Sequence, residues 1–103
     1  ECPMRWTLMP VGRPPSPRGH EHPLGLWDVH GNVYEWTACE YTPQGYPGGE
    51  RTDPRVLRLG AATRVFRGGC FLVEAIYCRS ASRNASAPGF RDPSLGCRLV
   101  RPV

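Results

Sequence analysis

Apolar positions in this chain come in short clusters broken by glycine, proline and polar turns, and such clusters predict strands and loops. Residues 32–41 make a run rich in Val, Tyr, Trp and Thr, which predicts a first strand. Residues 64–72 predict a second and residues 77–83 a third. In the last run, residues 95–101, Leu95, Cys97 and Leu99 alternate with Gly96, Arg98 and Val100 as a half-buried strand should. No window keeps the 3.6-residue apolar period for more than a turn or two, so long helices are not expected. Residues 1–23 carry Pro10, Pro14, Pro15, Pro17 and Pro23, which force extended backbone and leave room for at most a short strand at residues 5–8. Residues 42–63 lack periodicity and are too long for an ordinary hairpin, as functional or mobile loops are. The domain reading is a lead-in over residues 1–23 and a core over 24–103, with a long loop at 42–63.

The densest chemistry lies in residues 24–36, where large apolar side chains and two carboxylates flank a turn signal. The Gly31-Asn32 pair permits positive φ, so the backbone can bend and bring Asp28 and Glu35 together. Carbonyls exposed by the bend, at Gly31 and Val33, would complete the oxygen set that a hard cation such as Ca²⁺ requires. The spacing is not that of an EF-hand. The alternative is that Asp28 caps the turn and Glu35 pairs with an arginine.

Composition narrows the function classes. A chain of 103 residues is one small domain, and that size buries about 60–65 % of its unfolded surface. Twelve glycines and twelve prolines exclude a helical bundle, while 40 % hydrophobic content excludes disorder. The formal charge is +4 and every basic residue is an arginine, yet the arginines are scattered singly and accompany no nucleic-acid-binding motif, so no nucleic-acid partner is expected. Five cysteines leave at least one unpaired if disulfides form within the chain. His20 and His22 match no zinc spacing. No signal peptide or membrane span is visible, so the chain reads as soluble with no membrane partner; the start at Glu1 points to an upstream portion that has been removed.

The stretch Gly25-Leu26-Trp27-Asp28-Val29-His30-Gly31-Asn32-Val33-Tyr34-Glu35-Trp36 resembles the GLYDMxGNVWEW signature of the formylglycine-generating enzyme (sulfatase-modifying factor) family. Further on, Arg64-Val65-Phe66-Arg67-Gly68-Gly69 resembles that family's RVxRGGS, Arg79-Ser80-Ala81-Ser82-Arg83 its RSAxR, and Leu95-Gly96-Cys97-Arg98 its IGFR, all in the family's order. Met9-Pro10-Val11-Gly12 matches the xPVG that precedes the signature, which implies that the lead-in lies against the body. The resemblance implies an α+β fold, β-rich and loop-rich, of the C-type-lectin-like kind, with four or five short antiparallel strands. It also implies a structural Ca²⁺ held by the side chains of Asp28 and Glu35 and the carbonyls of Gly31 and Val33. The family's long amino-terminal half, with its helices and RLPTEAEWEYA-like segment, has no counterpart here, so the chain is expected to be the carboxyl-terminal core or a minimal member of the family.

Enzymes of this family oxidise a cysteine in substrate sulfatases and hold copper on two cysteines five apart, the first three residues beyond the Ser of GGS. Soft thiolates are the ligands that Cu(I) selects. Counted forward from Gly69, Cys70 replaces the Ser, Val73 falls at the first cysteine and Cys78 at the second; counted back from Ala81 and Arg83 the gap is three residues too short and Cys78 loses that correspondence as well. Either way the pair is incomplete. Cys70 and Cys78, on expected neighbouring strands, are read as a structural bridge or buried thiols ahead of a redox pair. Residues 41–48 faintly resemble the YxPYPG of the ergothioneine sulfoxide synthases, whose three-histidine iron module this chain lacks.

A third branch, the variable proteins of diversity-generating retroelements, carries a tail close to RVLRGGSW, CRSAxR, APGxR and LGFRLV; residues 64–100 give RVFRGGCF, CRSASRN, APGFR and LGCRLV. That branch is non-catalytic and displays a variable binding surface on the shared fold. Here the corresponding positions are Phe71, Leu72, Val73, Ile76, Tyr77 and Phe90, with Asn84, Ser86, Asp92 and Ser94 in the adjoining segments. Exposed together, the apolar ones would form a patch of roughly several hundred Å², which calls for a partner; alternatively Phe71, Val73 and Ile76 are core. Arg83 and Arg98 are read as buried structural arginines paired to carboxylates or carbonyls. The leading expectation is therefore a Ca²⁺-stabilised binding module for an unnamed protein or surface ligand, with an upstream portion or a second copy as further partners. The alternative is a fragment of a sulfatase-modifying or sulfoxide-synthase-type oxidoreductase.

Overall fold

The computed structural model describes residues 8–11, 23–45, 48–49, 60 and 62–101. The short strand expected at residues 5–8, most of the proline-rich lead-in, His20 and His22, and most of the 42–63 loop lie outside the described residues.

Four strands form one sheet among the described residues: β1 (Tyr34–Glu40), β2 (Arg64–Arg67), β3 (Asn84–Ser86) and β4 (Leu95–Gly96), in the order β3-β2-β1-β4. β1 forms where the sequence places it and β2 begins there, because Val, Tyr, Trp and Phe suit a pleated, half-buried surface. But β2 ends at Arg67 instead of running to residue 72, since Gly68 and Gly69 turn the chain with positive φ. β1 and β2 are the long strands of the sheet. They pair antiparallel, with Trp36 opposite Phe66 and Glu35 opposite Arg67. The Trp36 and Phe66 rings meet edge-on at 5.3 Å, and Tyr34 meets Phe66 the same way at 5.0 Å, the geometry that the ring quadrupoles favour. Between Trp36 and Glu40 the ladder slips, since β1 advances from 36 to 40 while β2 runs from 66 to 64. Thr37 bridges the slip: its hydroxyl donates to the Val65 carbonyl at 3.0 Å and accepts from the Cys39 N–H at 3.3 Å. Backbone groups that the bulge would orphan are thereby satisfied.

Three sequence expectations are corrected. Residues 77–83 are not a strand. A 3₁₀ turn spans Ala75–Cys78, and the chain then folds on itself as Arg79 Nε and the Ser82 hydroxyl both donate to the Ile76 carbonyl, at 2.9 and 3.3 Å. Such local side-chain bonds compete with a sheet ladder. The third strand instead lies at Asn84–Ser86, antiparallel to β2. The all-antiparallel expectation also fails at β4, which runs parallel to β1 with Tyr34 beside Leu95 and Glu35 beside Gly96. The strand expected over residues 95–101 stops at Gly96, and Leu99 and Val100 are almost fully exposed. The β-rich, loop-rich expectation stands; its helical part amounts, among the described residues, to the single 3₁₀ turn.

The core is small. Val65 is fully buried, and Tyr34, Gly69 and Cys70 join it around the junction of β1 with the end of β2. That junction is where the chain's chemistry gathers.

Candidate functional site: the acidic turn and the thiol pocket

The turn before β1 is built by two residues with positive φ, Asp28 at 53° and Gly31 at 87°. An Asp tolerates this region better than most residues, and Gly enters it freely. The Gly31 N–H donates to the Gly68 carbonyl at 2.8 Å, fastening the turn to the end of β2. Gly68 can lie this close because it has no side chain; a β-carbon there would fall 3.1 Å from the Val29 carbonyl oxygen. Asn32 adds a second fastening. Its side-chain oxygen accepts from the Met9 N–H at 3.0 Å and its amide donates to the Met9 carbonyl at 2.9 Å, while its own carbonyl accepts from the Phe71 N–H at 3.0 Å. This reciprocal pair ties Met9 to the turn.

Glu35, which pairs with Gly96 of β4, is gripped by Arg98. The guanidinium donates from Nε to Oε2 at 2.9 Å and from Nη2 to Oε1 at 2.6 Å, and Nη2 also reaches the Asp28 carbonyl at 3.3 Å. The bidentate bond to Glu35 pushes the Arg98 pKa up, with the Glu35 and Asp28 charges acting in the same direction. Arg98 is thus paired to a carboxylate as expected, but half-buried instead of buried. Arg83 likewise donates to the Thr42 carbonyl at 2.7 Å and lies 5.1 Å from the Tyr41 ring centroid.

Asp28, Asn32, Val33 and Glu35 line one cleft of about 320 Å³, with Trp27 and Arg98 on its walls. Three of the four expected cation ligands therefore share a cleft, and the fourth, Gly31, belongs to the same turn. Among the described residues no three His, Cys, Asp or Glu side chains converge, so a hard cation here would depend on backbone carbonyls as well as carboxylates.

The thiol of Cys78 lies near the same turn, its Sγ 3.9 Å from where a β-carbon on Gly31 would be. Cys78 packs against Gly69, with its Cα where a β-carbon on Gly69 would approach to 2.9 Å. Burial pushes the Cys78 thiol up, and neighbouring Cys70 adds to the effect. Burial raises the Tyr34 hydroxyl too, with Cys70, Cys78 and Tyr77 reinforcing the shift and a side-chain hydrogen bond with Asn84 opposing it. Cys39, Cys70, Cys78 and Cys97 are free thiols. Cys70 and Cys78 do not sit on neighbouring strands as expected: Cys70 follows β2 and Cys78 ends the 3₁₀ turn. Gly69, just after β2, is the sequence mark of this close approach.

The ten expected ligand-contact residues fall in five places, with Phe90 closing a turn in which its N–H donates to the Ala87 carbonyl at 2.9 Å. Phe71, Leu72 and Val73 form the turn after Cys70, and Ile76 and Tyr77 the 3₁₀ turn. Leu72, Ile76, Tyr77 and Phe90 are about half exposed, at 50, 54, 54 and 46 %, so Ile76 is not core; Phe71 and Val73 are half-buried. Asn84 and Ser86 are paired in β3. Asp92 and Ser94 serve a local turn, where Asp92 accepts from the Ser94 hydroxyl and from its N–H, which hold the carboxylate below its usual range. Exposure alone does not single out residues 71–77, because Leu24 at 80 % and Leu99 at 94 % are more exposed still.

The chain matches the family described as "Sulfatase-modifying factor enzyme 1-like domain" over residues 4–103. It is 39 % identical over 87 residues to the formylglycine-generating enzyme of Streptomyces coelicolor, covering 82 % of this chain and 26 % of that protein. To the formylglycine-generating enzyme of Thermomonospora curvata it is 37 % identical over 91 residues, covering 82 % and 28 %. It is also 33 % identical over 81 residues to the serine/threonine-protein kinase Pkn1 of Chlamydia trachomatis, covering 78 % of this chain and 13 % of the kinase. The chain thus spans about a quarter of the length of the formylglycine-generating enzymes it matches. No solved structure gives a significant match. These relatives favour the enzyme branch, and the closeness to retroelement variable proteins expected from the tail motifs is not what they show. The chain belongs to the sulfatase-modifying-factor family of formylglycine-generating-enzyme-like domains.

Proposed function

We propose that this chain is the carboxyl-terminal core of a formylglycine-generating-type oxidoreductase domain, one part of a larger active unit. The observation that carries the reading is the placing of Cys78. Counted forward from Gly69 it stands at the second of the family's two thiol positions, and Gly69, lacking a side chain, leaves room for it near Cys70. The 39 % identity to the Streptomyces coelicolor enzyme supports the same reading. The family's copper needs two thiolates, and Val73 supplies none at the first position, so the family's arrangement does not fit and no step is assigned to copper. This chain's own contribution is a scaffold that half-buries Cys78, and that burial pushes its thiol up.

In this reading the frame is C-type-lectin-like, and Asp28 and Glu35, with the Gly31 and Val33 carbonyls, hold a structural Ca²⁺. The shared cleft and the all-oxygen donor set fit such an ion. The test of the function is oxygen uptake by the whole polypeptide that carries this chain, supplied with a cysteine-containing peptide. Uptake that requires the peptide and is lost in Cys78→Ser supports the oxidoreductase; a folded protein with no uptake contradicts it.

A second reading keeps the module non-catalytic, with a protein or other surface ligand bound through Leu72, Ile76, Tyr77 and Phe90. Val73 at a thiol position and the exposure of those four side chains favour it. It ranks second because comparable apolar exposure is spread over the whole described surface.

A further inference from the structure

Arg98 reaches both residues that would bring carboxylates to the cleft. Its fork takes the two Glu35 oxygens, at 2.9 and 2.6 Å, and its Nη2 reaches the Asp28 carbonyl at 3.3 Å. The guanidinium therefore does what a bound ion would do: it neutralises Glu35 and ties β1 to the turn. A hard divalent cation seeks the same carboxylate oxygens at 2.3–2.6 Å, and two positive groups on one carboxylate repel. The pair is accessible to exchange, since the side chains keep 34 and 25 % of their exposure. We infer that Arg98 and a hard divalent cation are alternative occupants of Glu35, so that Arg98 sets the cation affinity of the turn. This rests on the cation site proposed above. Arg98 lies two residues beyond the end of β4, so entry of the cation releases the segment after Gly96, where Leu99 and Val100 already face solvent.

The experiment titrates Tb³⁺, a luminescent Ca²⁺ substitute, into the intact protein and reads luminescence sensitised by Trp27, which lines the cleft. Arg98→Gln is expected to bind about tenfold more tightly than the unaltered protein, the size of one charged hydrogen-bonded pair removed, and Glu35→Gln to lose binding. Equal or weaker binding by a folded Arg98→Gln, with Glu35→Gln still losing it, overturns the competition while leaving the cation site standing. Absence of binding in both the unaltered protein and Arg98→Gln overturns the site and the competition together. Should Arg98→Gln not fold, the Arg98 Nε–H resonance of the unaltered protein decides: saturating Ca²⁺ shifts it to a solvent-exposed position if Arg98 is displaced, and an unmoved resonance contradicts displacement.

Discussion

Cys78 occupies the space that a side chain on Gly69 would need: a β-carbon there would lie 2.9 Å from the Cys78 Cα and 3.0 Å from its Cβ, with Gly69 already at a φ of 70°. Backbone atoms cannot yield as a side-chain tip can. Gly69→Ala is expected to cost about 2–4 kcal/mol, combining left-handed strain with overpacking, and to lower Tm by about 10 °C or more. Gly25→Ala is the control. It has a similar φ of 65° and open space around it, so about 1 kcal/mol is expected. Thermal unfolding followed by circular dichroism checks both.

The raised Cys78 and Tyr34 groups predict an alkaline loss of stability. A group whose folded pKa lies above its unfolded value binds its proton more tightly in the fold. Its contribution is fully present below the ordinary values of 9.0 and 10.0 and is lost as pH rises through the folded values. Stability is therefore expected to fall from about pH 9 upward, and Cys78→Ser to remove the earlier part of the fall. Alkylation followed by mass spectrometry at pH 8 should modify exposed Cys97 well before Cys78.

Asn32→Ala removes both bonds to Met9 and is expected to cost about 1–2 kcal/mol. The loss should be local. Amide exchange at Met9 is expected to accelerate while exchange in β1 and β2 stays slow.

Calcium chelation is expected to lower Tm by several degrees, and Asp28→Ala to abolish the response. Equal melting of the unaltered protein with and without chelator counts against the ion.

Legibility in the sequence followed the physics of each element. β1 and β2 were readable because their side chains are intrinsic strand formers that pack on each other, Trp36 on Phe66. β3 was not, since Asn-Ala-Ser carries no strand signal and becomes one by pairing with β2. Residues 77–83 misled in the opposite direction, because the Ile76 carbonyl draws Arg79 and Ser82 into a local turn that no apolar pattern announces. At the site, the grouping of Asp28, Val33 and Glu35 was legible from one turn signal. That Arg98 was a structural arginine was legible too, but not its partner, because Glu35 lies 63 residues away and tertiary folding alone brings them together. The roles of Asn32 as a clamp and of Gly69 as a seat for Cys78 depend on approaches of a few ångströms, which the sequence marks only by residue type.

The most direct measurement of the functional claim is aldehyde formation on a cysteine-containing peptide incubated with the whole polypeptide and oxygen, read by hydrazide capture and mass spectrometry. The account predicts aldehyde at the peptide cysteine and its loss in Cys78→Ser. A folded, full-length protein that leaves the peptide thiol unchanged, or a Cys78→Ser variant that converts it as well as the unaltered protein, would contradict it.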